Sequence, residues 1–223
     1  MIQAEGIFAE GIFAGGATKP YIEETYDSDG NLIDVKLHGY TKIRDNAFSD
    51  CYDLSLTSLP DEIVSIGTNA FRACFSLALT SLPAGITSIG GGAFYNCNNL
   101  ALTSLPDGIT IIENGAFFCC TNLALTNLPS GITRIGIEAF SGCENLALTS
   151  IPAGVTDIRG SAFYGCTGLT ELTFMGTPTN IESDAFAGCE NLTTINVPWA
   201  EGAVANAPWG AANATIHYNY TGG

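Results

Sequence analysis

The hydrophobic positions of this chain recur on a fixed grid. The dipeptide Ala-Phe places Phe at Phe48, Phe71, Phe94, Phe117, Phe140, Phe163 and Phe186, each 23 residues from the last. Three residues beyond each Phe stands a cysteine, from Cys51 through Cys189, and three further on a leucine, from Leu54 through Leu192. An isoleucine, from Ile43 through Ile181, precedes each Phe by five positions. A fifth apolar column runs Leu59, Leu82, Leu105, Leu128, Ile151, Phe174 and Val197, and Pro follows most of its members. No insertion or deletion interrupts the seven units.

A 23-residue unit cannot bury its apolar side alone, so the period predicts a solenoid whose coils stack with their columns inside. Parallel strands lie about 4.8 Å apart, which makes seven coils a β-rich rod about 34 Å long. Pro after the fifth column suits a strand end, where a missing N–H interrupts no ladder. Gly67, Gly90 and Gly136 follow column isoleucines and are expected at sharp corners with positive φ. The span from Ala-Phe to Cys has room for one helical or 3₁₀ turn.

The units carry C-x-x-L, then L-P, then I-x-x-I-G, then A-F-x-x-C. Cys97 to Leu105-Pro106, Ile109 to Ile112 and Ala116-Phe117 make one clear example. This pattern, over about residues 40 to 198, resembles the BspA-like class of bacterial leucine-rich repeats. The resemblance implies a right-handed parallel solenoid that binds or adheres, at a cell surface or on a virion, rather than one that catalyses. The ending from Val197-Pro198-Trp199 through Trp209-Gly210 to Tyr218 also resembles ends of phage-associated proteins. It implies the alternative of a structural part in a phage tail or surface fibre.

One departure from that class bears on where a partner would bind. Its usual strand, L-x-x-L-x-L, is present as Leu192-Thr-Thr-Ile195-Asn-Val197, but five units read L-x-L-T-x-L or end in Ile. Strict alternation back from the fifth column would turn Leu56, Leu79, Leu102, Leu125 and Leu148 outward as an apolar stripe, the candidate binding site. A kink after Leu54 and its equivalents would tuck them into the core instead. Burying a Leu gains roughly 1.5–3 kcal/mol while burying an unbonded hydroxyl is costly, which favours the tucked form.

Solenoid ends must be covered. Residues 20–39 alternate through the turn Ser28-Asp29-Gly30-Asn31 and are expected to form a β-hairpin cap. Before it, residues 1–19 hold Gly-Ile-Phe-Ala twice, which reads as an arm for attachment or homo-oligomer formation, or as a loosely ordered end. The solenoid is assigned to residues 40–198. Residues 199–223 are assigned to an aromatic C-terminal cap, with Trp199 and Trp209 as lids on the open Phe column.

Composition narrows the chemistry. Seven Lys and Arg stand against 22 Asp and Glu, a net charge of −15, which repels nucleic acid and anionic membrane. No long apolar run predicts a membrane span, and no secretory signal is visible at the start. Seven of eight cysteines share one unit position and are expected as a column of buried thiols rather than disulfides. Cys119, outside that column, is the candidate exposed thiol. Zinc is not expected, because His38 and His217 stand at opposite ends of the rod. Asp27-Ser-Asp29-Gly30-Asn31 looks like the start of a calcium loop, yet His38 occupies the place of its closing acid, so a hairpin turn is favoured. The sequons at Asn191, Asn213 and Asn219 carry no weight without an export signal. No nucleophile, base and orienting group stand out from the repeated Ser and Thr, so neither a catalytic residue nor a cofactor is assigned. The expected protein is a non-enzymatic module recognising a protein or glycan across several coils.

Overall fold

The computed structural model describes residues 21–222, and the arm assigned to residues 1–19 lies outside the described residues. The chain opens with an antiparallel hairpin of β1 (Tyr21–Tyr26) and β2 (Leu32–His38). Asp27 closes its turn by accepting hydrogen bonds from the Asp29 and Asn31 N–H groups and the Asn31 amide. The turn is therefore built on Asp27 itself, with Gly30 at a φ of 85°.

Beyond the hairpin the chain winds as stacked coils, and no helix is present among the described residues. The Ile side carries two-residue strands: β3 (Lys42–Ile43), β4 (Ser65–Ile66), β5 (Ser88–Ile89), β6 (Ile111–Ile112) and β7 (Arg134–Ile135). On the Leu side β8 (Ser150–Ile151) follows, and β9 (Asp157–Ile158) returns to the Ile side. Then come β10 (Glu171–Phe174), β11 (Asn180–Ile181), β12 (Thr194–Asn196) and β13 (Thr215–His217). All pairings after the hairpin are parallel, giving sheets β3-β4-β5, β6-β7-β9-β11 and β8-β10-β12-β13.

The core is a set of ladders running through the coils. The seven Phe rings stack face to face with centroids 5.0–5.5 Å apart and planes within 14°. The backbone beside them stacks too: Phe71 N–H donates to the Ala93 carbonyl and Phe117 N–H to that of Ala139. Six column cysteines, Cys74 through Cys189, each donate S–H to the carbonyl of the Phe in the preceding coil, at 2.9–3.1 Å. That carbonyl also accepts the N–H of the Cys in its own coil, as Phe71 does from Cys74, so both its lone pairs are used. All eight cysteines are free. Burial raises the thiols' pKa, to about 11 at Cys51 and about 12 at Cys189 and well upward at Cys120. The column is protonated, as a donor must be.

The stretch from Ala-Phe to Cys is neither the helical nor the 3₁₀ turn expected of it. It is a chain of tight turns: Ala47 N–H bonds to the Arg44 carbonyl, Ser49 to Asn46 and Cys51 to Phe48. Left-handed residues break up any helix, two positions before Phe (Asn46, Asn69, Gly92, Gly115) and two after it (Asp50, Ala73, Asn96, Cys119, Gly142). Gly67, Gly90 and Gly136 are not among the residues with positive φ. They are glycine because the neighbouring coil passes too close for a side chain. A Cβ at Gly90 would lie 2.5 Å from Thr68 N, and one at Gly67 2.5 Å from Asp45 N.

The Leu side resolves the odd strand pattern. Leu56, Leu79, Leu102, Leu125 and Leu148 are 0–4% exposed, so they form no surface stripe. Leu54, Leu56 and Leu59 are all buried, while Ser55, Thr57 and Ser58 face outward. Alternation holds from Leu54 to Leu56, and the double outward step that lets Leu59 return inside lies at Thr57-Ser58. The bend thus sits later than Leu54. In Leu169-Thr170-Glu171-Leu172-Thr173-Phe174 the double outward step comes first, at Thr170-Glu171, and a four-residue strand follows.

Both ends are covered. Leu32, Val35 and Leu37 of the hairpin join the core at the first coil. At the other end Trp199 and Trp209 are buried and meet Phe174 and each other, with centroids 5.3–6.3 Å apart. The Trp209 ring N–H donates to the Ala205 carbonyl at 2.7 Å.

Three outcomes follow from this packing. Leu102→Ser should lower stability by about 2–5 kcal/mol in a urea melt, whereas Thr103→Ala beside it should shift it by under about 0.5 kcal/mol. Gly90→Ala should cost about 1–3 kcal/mol through overpacking. Gly85→Ala, whose nearest neighbours would be 3.9 Å away, should be neutral or stabilise by about 0.4–1 kcal/mol. Finally, folded thiol pKa values above the unfolded value of about 8.5 mean that the unfolded chain loses thiol protons first as pH rises. Stability should hold below about pH 8.5 and fall above it, by up to about 1.4 kcal/mol per pH unit for each thiol. Urea midpoints at pH 8 and 9.5 measure this, Cys120→Ala should flatten the slope, and a flat profile for the native chain would contradict the buried, protonated column.

Candidate functional site

The core columns face inward and vary only among apolar residues, so most coil-to-coil differences fall at outward positions, which the 23-residue register lines up in rows. Three such faces surround the stack. The first lies on the Leu side, where the bends present Thr57-Ser58, Thr80-Ser81, Thr103-Ser104, Thr126-Asn127 and Thr149-Ser150. It is uncharged and made of short polar groups.

The second lies on the Ile side and includes the row Ser65, Ser88, Ile111, Arg134 and Asp157. Its charges are largely engaged with one another. Arg134 reaches Glu113 at 3.1 Å, Arg159 bridges Asp157 at 3.4 Å and Glu182 at 3.3 Å, and Asn180 donates to Asp157 at 2.7 Å. Exposed pairs of this kind add little stability, about 0–1 kcal/mol each.

The third face is the corner made by the turns around Phe and Cys. Tyr52 and Phe75, adjacent members of one row, stack at 5.2 Å while remaining 51% and 45% exposed. In the row beside them Tyr95 and Phe118 stack at 4.4 Å, and the Arg72 guanidinium lies 5.8 Å from the Tyr95 ring centre. Arg72 is held from the other side by Asp50 at 3.1 Å. Next to these aromatics Phe75, Ser76, Asn98, Asn99, Thr121 and Asn122 line a shallow groove of about 360 Å³. Asn98 donates to the Cys119 carbonyl at 3.3 Å, Thr121 to the Asn98 carbonyl at 3.3 Å, and Asn122 to Asn99 Oδ1 at 3.5 Å.

The site residues expected from sequence fare differently. The five Leu of the proposed stripe lie in the core and cannot touch a partner while the fold is intact, because the bends at Thr-Ser turn hydroxyls outward in their place. Cys119 is half-buried rather than exposed, on a left-handed turn with φ of 53°. A Cβ on Gly142 would lie 2.9 Å from its sulfur, so the next coil packs over the thiol. Its pKa is raised by burial first and then by the Glu144 and Glu138 carboxylates, which leaves it a poor nucleophile at neutral pH. Among the described residues no three His, Cys, Asp or Glu side chains converge as a metal site, and no helix is long and apolar enough to cross a membrane.

The aromatic corner was overlooked at the level of sequence. Its signal was available, since Tyr52 and Phe75, like Tyr95 and Phe118, stand one 23-residue step apart. Rings at matching positions of adjacent coils lie one coil step apart, within stacking distance.

Comparison with known proteins agrees with this architecture. The BspA-type leucine-rich repeat region matches residues 41–169 and 133–202, in six copies. A leucine-rich repeat protein from Bacteroides ovatus is similar in structure, with a TM-score of 0.57 and 26% identity over 82% of this chain and 47% of its own. The chain thus spans about half the length of that protein. A leucine-rich cell surface protein from Faecalibacterium prausnitzii matches at TM-score 0.48 and 23% identity, over 82% of this chain and 72% of its own. A leucine-rich repeat protein of T. pallidum matches at 0.46 and 22%, over 79% and 81%. No curated protein matches the sequence. The unbroken 23-residue register, its stacked Phe and Cys columns and the repeat match across residues 41–202 make this chain a member of the BspA-type leucine-rich repeat family.

Proposed function

We propose that this protein is a non-enzymatic binding and adhesion module that recognises a protein or glycan through an extended face of its solenoid. Membership of a leucine-rich repeat family supports a binding role. The observation that carries it is the set of outward rows, above all the exposed aromatic pair Tyr52–Phe75 and the half-buried pair Tyr95–Phe118. The core is complete without them, and contiguous apolar surface outside a core marks interaction sites. Repeat scaffolds present such rows rigidly, so a ligand spanning several coils pays little for ordering them.

Immobilised protein presented with panels of purified surface proteins and glycans tests this. Saturable binding is expected that survives a chelator and is competed by soluble protein. Tyr52→Ala at the exposed aromatic pair, or Thr103→Arg with Thr126→Arg on the hydroxyl face, should weaken it at least about tenfold (about 1.4 kcal/mol) while moving the melting midpoint little. A passive spacer in a fibre or tail would bind nothing in either panel, and that result with folded protein would overturn the proposal.

A further inference from the structure

The corner groove has a chemistry of its own. Tyr52 covers one face of the Phe75 ring, and the next member of that row is Asn98, a shorter side chain. The outer part of the second Phe75 face is therefore bare, in keeping with its 45% exposure, and it forms one wall of the groove. The remaining lining is amide and hydroxyl: Ser76, Asn98, Asn99, Thr121 and Asn122. Asn98 and Asn122 each donate one amide N–H, to the Cys119 carbonyl and to Asn99 Oδ1 respectively, leaving the second N–H and the Oδ1 of each, and the Asn99 amide N–H, for a ligand. Acceptors and donors thus lie side by side along adjacent coils, with Asn145 continuing the Asn99, Asn122 row one step further.

We propose that this groove binds a neutral oligosaccharide lying along the coil stack, with one sugar face on Phe75 and its hydroxyls on the asparagine row. A sugar ring offers a face of C–H groups that suits the negative face of an aromatic ring. Its vicinal hydroxyls, each donor and acceptor, match amides presenting both functions. The step between coils, about 4.8 Å, is comparable to the rise of one sugar unit in an extended chain, so successive units meet successive asparagines. Charge selects the class. The groove lining carries no charge, while Asp53 and Glu144 flank the same rows on a chain of net charge −15. Uronic, sulfated and phosphorylated chains are repelled. A basic peptide would need a carboxylate inside the groove, where none of the lining residues supplies one. The proposal deepens the binding-module assignment and rests on it.

The full chain is titrated calorimetrically with the mono- to tetrasaccharides of the cello-, xylo-, manno- and chito-oligosaccharide series, and with polygalacturonate and polylysine. At least one neutral series should saturate below about 1 mM, tightening from the monosaccharide to the trisaccharide and then levelling off. Phe75→Ala and Asn122→Ala should each weaken it at least about tenfold with unchanged melting midpoints, and Tyr164→Ala, an exposed aromatic elsewhere, should not. Polylysine binding lost in Phe75→Ala, with no neutral sugar bound, would overturn the glycan assignment and leave the binding module standing. Sugar binding indifferent to Phe75→Ala and Asn122→Ala would move the site elsewhere, again without touching the module. Binding of none of the probes also overturns the glycan site, whatever the protein panel shows. Cleavage of an oligosaccharide by the purified chain would instead sink the non-enzymatic assignment.

Discussion

Phe rings stacked 5.0–5.5 Å apart set the pitch to which the other ladders are tied. The carbonyls of six of these Phe residues, Phe48 through Phe163, bond twice, and the second partner, the column S–H, comes from the following coil. Ring stacking, thiol donation and the Phe-to-Ala backbone bonds therefore act at the same level of the coil, on one short segment. A residue inserted between the Phe and the Cys of a unit would shift these contacts against the neighbours on both sides. That coupling gives a physical reason for the seven units to keep their length without exception.

Much of the architecture was legible in the sequence because a fixed period converts position directly into stacking. Columns named from the register, such as Phe117, Cys120 and Leu123, are fully buried in one core. Register alone does not tell which way a column faces. Leu102 and Thr103 are both repeated, and only the difference between burying a hydrocarbon and burying a hydroxyl separates their orientations. The glycines show a second limit. Gly90 and Gly92 lie two residues apart in one unit, yet Gly92 is left-handed and Gly90 is pressed by Thr68 of the coil before it. Within a single unit those two causes look alike. The aromatic corner escaped notice for a different reason: its rows change identity after one or two members, as Phe75 gives way to Asn98, and variable rows do not register as a pattern.

The strand pattern changes along the rod in a way that fits its ends. Where the double outward step comes late, as at Thr103-Ser104, the Leu side keeps isolated bonds such as Ala124 N–H to the Leu102 carbonyl. Where it comes early, as at Thr170-Glu171, β10, β12 and β13 form an extended parallel sheet. The regular strands are those nearest Trp199 and Trp209, where β13 pairs in parallel with β12 and Phe186 N–H bonds to the Trp209 carbonyl. Phe174 takes the place of a column Leu there and supplies the edge on which Trp199 packs at 5.3 Å.

A surface made by such a stack is rigid and shallow. Deep pockets are hard to build, because each coil fills its own cross-section with Phe, Leu and Ile and adjacent coils are only a strand spacing apart. Affinity must then come from modest contacts repeated along the rod, each fixed in place before the ligand arrives. Such a scaffold favours ligands that are themselves extended, since a compact ligand touches one or two coils and gains one or two contacts. Rows that change identity, from aromatic to amide to carboxylate along Tyr52, Phe75, Asn98, Thr121 and Glu144, would then fix where along the rod the ligand stops. The conserved pitch supplies the ruler, and the variable rows supply the marks on it.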